Sequence, residues 1–510
     1  MNTATMRHRL QAAGWAVTVT AAMVAAAALT LCAPAVAAAE AENVAPTIAI
    51  VVQDQTALRA APRDSGQLQA TLWPGDTLEI RGERLDHLQV YDYRRERGGF
   101  VRASALRRVS LQAGQAPELL AVVRFLRDTP GSEALGMAYA AAYLKAAPAD
   151  AITAEPLDAL GTMAERLARR ASSRQAKAND PVLAAHLEAA AGLGVVMTSF
   201  ERDGRMQLCY DGDAFRRVLA MQATPEQRAR AALGLTRDDC IAPTLPPLQR
   251  QQLLEDQAQL LERIDIAPLP ELLKNRIRMR RAAVWAGVAF TRSRQGTNAN
   301  TAEAGEHALQ SLAEVVKAQL TDDDQWAYND AAVRVGASRW AGAAAATSKG
   351  RLAIATSAGQ QPGETCVALT DAQHDAAHPL LRRCTYGTVW TASASVSADG
   401  SALAVAVQPL ATWRELWVFH RNREGWTVDT LPPATGDTQL GVVEFAGWVP
   451  GGGRLLAARE AKVDGRFKRS FEVIRLDTLV AEKQADKPDS LSTFYRWQDA
   501  GWKRQTVMLR

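Results

Sequence analysis

The stretch Gly400-Ser401-Ala402-Leu403-Ala404-Val405 returns in pattern as Gly453-Arg454-Leu455-Leu456-Ala457-Ala458, and precedes both as Gly350-Arg351-Leu352-Ala353-Ile354-Ala355. The spacings are 50 and 53 residues. In each copy a glycine turn releases an apolar run of strand length. A second run follows the later two copies, Glu415-Leu416-Trp417-Val418-Phe419 and Ser470-Phe471-Glu472-Val473-Ile474. Turn, strand and strand repeated at one period describe β-units placed in series. Residues 345–510 are therefore read as a β-rich domain, and Phe494 to Leu509 is expected to supply a closing strand.

Working backwards, residues 115–344 read as an all-α domain. Thr224-Pro225-Glu226-Gln227 places a capping threonine, a proline at the first helical position and a glutamine three after the cap, which is a capping box. Asp180-Pro181 and Thr321-Asp322-Asp323-Asp324 give similar starts. Leu253-Leu254, Leu260-Leu261 and Ile264 recur at helical spacing, as do Ile277, Val284 and Val288. Helices joined by proline-rich turns suggest antiparallel pairs stacked like a solenoid. Leu135-Gly136 with Tyr139 and Tyr143 faintly resembles a tetratricopeptide helix, but no clean period supports it. Phe200 to Leu208 holds Asp203-Gly204 between extended runs and is expected to be a hairpin leading into Cys209.

Residues 45–110 read as short strands. Thr77-Leu78-Glu79-Ile80-Arg81 alternates strictly, and Trp73-Pro74-Gly75-Asp76 is a turn. Leu58-Arg59-Ala60-Ala61-Pro62, the Pro74-Gly75-Asp76 turn and the closing Gly99-Phe100-Val101 resemble a bacterial SH3 domain. The resemblance implies a small β-barrel and binding of peptide or cell wall. Ala57, Ala61, Leu88 and Phe100 depart from the family pattern, and the missing tryptophans reduce the aromatic recognition surface. The repeated C-terminal units likewise resemble blades of a β-propeller. Three copies are fewer than a closed ring needs, which leaves an incomplete propeller, an open stack or further diverged blades.

The first 41 residues have the zones of a secretory signal peptide. Arg7, His8 and Arg9 form a basic start, an apolar run from Ala12 to Leu31 follows, and Pro34 breaks it ahead of Ala-x-Ala sites ending near Ala41. A lipoprotein is disfavoured because Leu31 precedes Cys32 where a small residue belongs. Periplasmic or secreted localisation is expected. Beyond the leader remain Cys209, Cys240, Cys366 and Cys384, an even set suited to an oxidising compartment. Of three possible pairings the two local ones are favoured, each worth roughly 3–4 kcal/mol by loop closure. No later run is long and apolar enough to span a membrane. A net charge of +4 argues against a nucleic-acid partner.

The sharpest chemical motif is His374-Asp375-Ala376-Ala377-His378. Two histidines four apart on a helix share a face, as in zinc hydrolases, and Cys366 and Cys384 flank them. The competing reading is a solvated loop inside a disulfide, and export favours it. Gly451-Gly452-Gly453 reads as a turn, and Asp211-Gly212-Asp213 as a turn feeding a helix at Ala214. Asp238-Asp239 and Glu271 form no recognisable acid–base pair, and Arg276, Arg278, Arg280 and Arg281 read as a solvated helix face. Seven of the twelve tryptophans lie beyond residue 389, which suits either blade packing or a glycan- or peptide-binding platform. The expectation is an exported, non-catalytic, multidomain α+β envelope protein without cofactor, binding protein or peptidoglycan partners. The alternatives are a metal-dependent hydrolase using His374 and His378, and a structural subunit of an envelope assembly.

Overall fold

The alternation around Leu78 and the apolar run Ile48-Ala49-Ile50-Val51 build the first region. In the computed structural model, which describes residues 47–173, 175, 180–296, 298–343, 352–435 and 440–509, seven strands precede any long helix. They are β1 (Ile48–Val51), β2 (Thr56–Arg59), β3 (Leu68–Leu72), β4 (Thr77–Arg84), β5 (His87–Asp92), β6 (Arg97–Arg102) and β7 (Leu106–Val109). The leader, Cys32 and the Gly350-Arg351 start of the first repeat lie outside the described residues.

These strands form one sheet in the order β3-β2-β6-β5-β4-β1-β7. The expected barrel does not close: β3 and β7 are edges of an open ladder. The sheet still curls enough for Val51, Leu58, Leu72, Leu88, Val101 and Leu106 to share one core. On the other side of β1, Ile48 and Ile50 pack with Val109 into the helical core. Both faces of β1 are thus covered, which explains why that strand is apolar throughout instead of alternating.

The helical region comprises α1 (Ala116–Arg127), α2 (Glu133–Ala146), α3 (Ala154–Ala171) and α4 (Pro181–Gly192). The hairpin of β8 (Met197–Arg202) and β9 (Arg205–Tyr210) interrupts it. Asp203 and Gly204 both take positive φ, 52° and 71°, as a two-residue hairpin turn with right-handed strands requires. Then come α5 (Asp213–Ala220), α6 (Pro225–Leu235), α7 (Pro247–Glu262), α8 (Glu271–Ser293), α9 (Asn298–Ala313) and α10 (Asp322–Ser338). Helices touch mainly their neighbours in sequence, with α3 and α8 as the central members. The starts follow local chemistry: Thr224 and Gln227 complete the capping box of α6, Asp180 caps α4 and Thr321 caps α10.

The C-terminal region holds three antiparallel meanders. The first is β10 (Ala353–Ala358), β11 (Thr365–Thr370) and β12 (Leu381–Thr385). The second is β13 (Thr388–Val396), β14 (Ala402–Leu410), β15 (Trp413–Asn422) and β16 (Gly425–Leu431). The third is β17 (Gly441–Trp448), β18 (Arg454–Val463), β19 (Arg466–Arg475) and β20 (Ala481–Ala485). The repeated sequence motif falls at β10, β14 and β18. Among the described residues the strand pairing between the second meander and the third is parallel, at Trp413↔Gly441 and Arg414↔Val442. The arrangement is a mixed α+β fold, with an N-terminal sheet, a helical middle and a β-rich C-terminal region.

The expected closing strand is instead helical, as α11 (Ser492–Trp497) and α12 (Ala500–Leu509). Phe494 and Trp502 leave these helices to pack edge-to-face on Phe471 of β19, and the Asp499 carboxylate accepts the Trp502 N–H at 2.8 Å, an N-cap. Val333 and Ala337 of α10 bury against Leu440 and Val442. Arg414, 0% exposed, reinforces that joint by donating to the Gly336 and Val443 carbonyls.

Candidate functional site

A hollow follows from how the N-terminal turns meet the helices. Gly75, at φ +97°, brings the β3–β4 turn so close to α2 that a Cβ there would lie 2.6 Å from the Ala134 carbonyl oxygen. Beside this contact opens a cleft of about 650 Å³. Val52 and Pro74 form the sheet side, Pro130, Ser132 and Leu135 the α1–α2 side. Arg170, Asp180, Val182, Leu183 and His186 of α3 and α4 form the opposite side.

Beneath that wall lies a charged network fixed by helix geometry. Arg166 and Arg170 stand four apart on α3, hence on one face. Both reach Glu133, the first residue of α2, at 2.7 Å each, and Glu133 is 1% exposed. Arg166 also donates to the Arg127 and Thr129 carbonyls, which hold the end of α1. Burial pushes the Glu133 carboxyl up, but the Gly131 N–H and the two guanidiniums outweigh it and hold the group below its usual range. Arg170 further donates to His186 Nδ1 at 2.8 Å. Burial, and then the Arg170 charge, keep His186 below the ordinary imidazole range.

A guanidinium can only donate, so His186 Nδ1 is the acceptor and its proton sits on Nε2. That Nε2 is buried and has no hydrogen-bond partner among the described residues. With one nitrogen occupied and the other protonated, His186 is not set up to take a proton from a substrate. Ser132 is likewise engaged, donating to the Leu126 and Thr129 carbonyls. The cleft therefore offers fixed polar groups between apolar walls, a composition suited to binding. A smaller hollow of about 310 Å³ lies under β7, with the Arg107–Glu118 pair beside it.

The residues singled out from the sequence lie elsewhere. His374 and His378 sit on the irregular β11–β12 connection, so the helical face that would align them is not formed. Each belongs to its own Asp turn: Asp371 accepts the His374 N–H, and Asp375 accepts that of His378. His374 Nδ1 lies 2.8 Å from Asp371, while the His378 side chain is 90% exposed. Among the described residues the one group of three possible metal donors is Glu364, Cys366 and Cys384. Its cysteines are bonded to each other, as are Cys209 and Cys240.

The arginines of α8 are ties, not a solvated face. Arg276 pairs with Asp324, Arg278 with Glu271, and Arg281 donates to the Leu261 and Ile264 carbonyls. Arg280 donates to the Leu233 carbonyl and Thr236. Asp238 meets Arg334 at 2.8 Å; burial raises its pKa, but Arg334 and Arg202 pull it below the carboxylate range. Trp390, Trp413, Trp417 and Trp502 are buried in or against the sheets, so they pack the core instead of forming a platform. The residues missed were Glu133, Arg166, Arg170 and His186. The Arg166/Arg170 spacing was the available signal, but nothing local pointed to Glu133. No protein-family model matches the chain, and no curated protein or solved structure matches it either.

Proposed function

We propose that this chain is an exported, non-catalytic cell-envelope protein that holds a protein or cell-wall partner in the cleft between its N-terminal sheet and α2–α4. In this reading an SH3-like sheet and propeller-like meanders flank a solenoid-like helical body, and the partner docks where sheet and helices meet. The observation that carries it is the cleft itself: apolar walls beside guanidinium and imidazole groups already engaged by one another. Two disulfides are compatible with an oxidising compartment. No helix among the described residues is long and apolar enough to cross a membrane.

The test compares wild type with Val182→Arg, which places a charge on the apolar wall without touching the Glu133 network. Co-sedimentation with purified peptidoglycan and crosslinking in periplasmic extract would read binding. We expect wild type to be retained and the variant to lose about tenfold in affinity, as one buried contact typically costs. Binding of neither material, or equal binding by both proteins, refutes the proposal.

A further inference from the structure

The two disulfides occupy different surroundings. Cys209, on β9, is 2% exposed. Cys240 is half-buried, and neighbouring side chains crowd the pair: Gln207 Nε2 lies 3.9 Å from Cys209 Sγ, and Arg237 grips Asp239 beside it. Cys366 and Cys384 instead face each other across β11 and β12 in a three-stranded sheet whose edge is β12. Cys366, on the central strand, is 7% exposed, whereas Cys384 on the edge is exposed. A thiolate must reach sulfur to react with it. Only the second disulfide includes an exposed cysteine.

Two charges shape that sulfur's chemistry. Residues two apart on a strand share a face, so Arg382 lies beside Cys384, about 6.7 Å along the strand by strand rise. Arg382 is exposed and is held in place by donating to the Ala376 carbonyl at 2.7 Å. It attracts anionic reagents to Cys384. The Glu364 carboxylate lies within 4.8 Å of both sulfurs and, with burial, disfavours a thiolate on Cys366. A disfavoured thiolate is a poor leaving group, so attack falls on Cys384 because that residue can be reached, and the same preference for the bonded form favours the closed disulfide at equilibrium.

We propose that Cys366–Cys384 is a thiol–disulfide exchange site for small anionic thiols, with Cys384 the sulfur attacked. An incoming thiolate forms a bond to Cys384 Sγ. The Cys366–Cys384 bond breaks, and Cys366 leaves with the electron pair and takes a proton from water. A second thiolate then attacks the reagent sulfur of the mixed disulfide and releases Cys384 as thiolate. Two reagent thiolates are oxidised to one reagent disulfide, and the protein disulfide gains the two electrons. The sheet does not depend on the bond, because β11 keeps six residue pairs with β10 and five with β12.

The experiment exposes the intact protein to graded glutathione, traps free thiols by alkylation, and reads all four cysteines by mass spectrometry alongside far-UV circular dichroism. We expect Cys366 and Cys384 to react about tenfold faster than Cys209 and Cys240, with the dichroism unchanged. Arg382→Ala slows the reaction with glutathione by up to about threefold, the value of one unit charge in water at a separation equal to that backbone spacing. It leaves the rate with cysteamine unchanged, because that reagent's ammonium balances its thiolate. Equal reactivity of the two disulfides, reaction only as the fold is lost, or equal slowing with both thiols overturns the proposal.

Discussion

Replacing Glu133 with Ala removes the shared carboxylate under the cleft while leaving both arginines in place. Three hydrogen bonds go: one each from Arg166 and Arg170, and one from the Gly131 N–H. Hydrogen bonds to a charged group are worth roughly 1.5–3 kcal/mol each. The arginine side chains are 27% and 33% exposed, so water recovers part of their loss and the sum must be scaled down. The remaining cost is about 3 kcal/mol, near the lower end for breaking a buried ion pair. Because the loss is local, hydrogen exchange by mass spectrometry is the suitable assay. Amides of α2 and α3 should exchange roughly a hundredfold faster, by the same conversion of free energy to opening constant, while those of β17–β20 keep their protection.

Acid should mimic the substitution. The folded-state pKa of Glu133 is depressed from 4.5, so its contribution is complete above that value and is lost as pH falls through the lowered one. Wild-type protection in α2 and α3, corrected for intrinsic exchange, should hold from neutral pH downward and fall away only below 4.5. The Glu133→Ala protein lacks that step. Protection that changes less than about threefold on substitution, or an acid step that survives in the variant, would refute the network as the clamp between α1, α2 and α3.

Two further substitutions probe the joints between regions. Gly75→Ala forces a Cβ against the Ala134 carbonyl at an unfavourable positive φ, and should cost about 2–4 kcal/mol; an unchanged melting temperature would show that the turn does not rest on α2. Arg414→Leu removes donors to the Gly336 and Val443 carbonyls and leaves Glu444, 4% exposed, with fewer partners. A loss of about 3 kcal/mol is expected, read as a lower urea midpoint by tryptophan fluorescence, and an unmoved midpoint would contradict the buried tie.

How much was legible in advance varies with the range of the interaction involved. The Thr224 box, the Asp180 cap and the Asp203-Gly204 turn were readable because each is settled within a few residues. The repeat placed β14 and β18 correctly because a turn and an apolar run are local as well. Phe494 to Leu509 misled: its aromatics suited a strand, yet they serve as helix residues reaching back to Phe471. For His374 and His378 the spacing has meaning only on a helix, and that segment is a succession of Asp turns.

By itself, the sequence determined the alternation of β, α and β regions, the helix starts and the cysteine set, because backbone propensity and burial period are written locally. Tertiary structure decided whether the first sheet closed, which arginines became ties and where a cleft opened. Glu133 and Arg166 stand 33 residues apart, and their pairing depends on α2 and α3 packing at one register. The same packing put Cys384 on an exposed edge and sealed Cys209 away. Charge and sulfur chemistry depend on distance and on access to water, and both are set only when the elements meet.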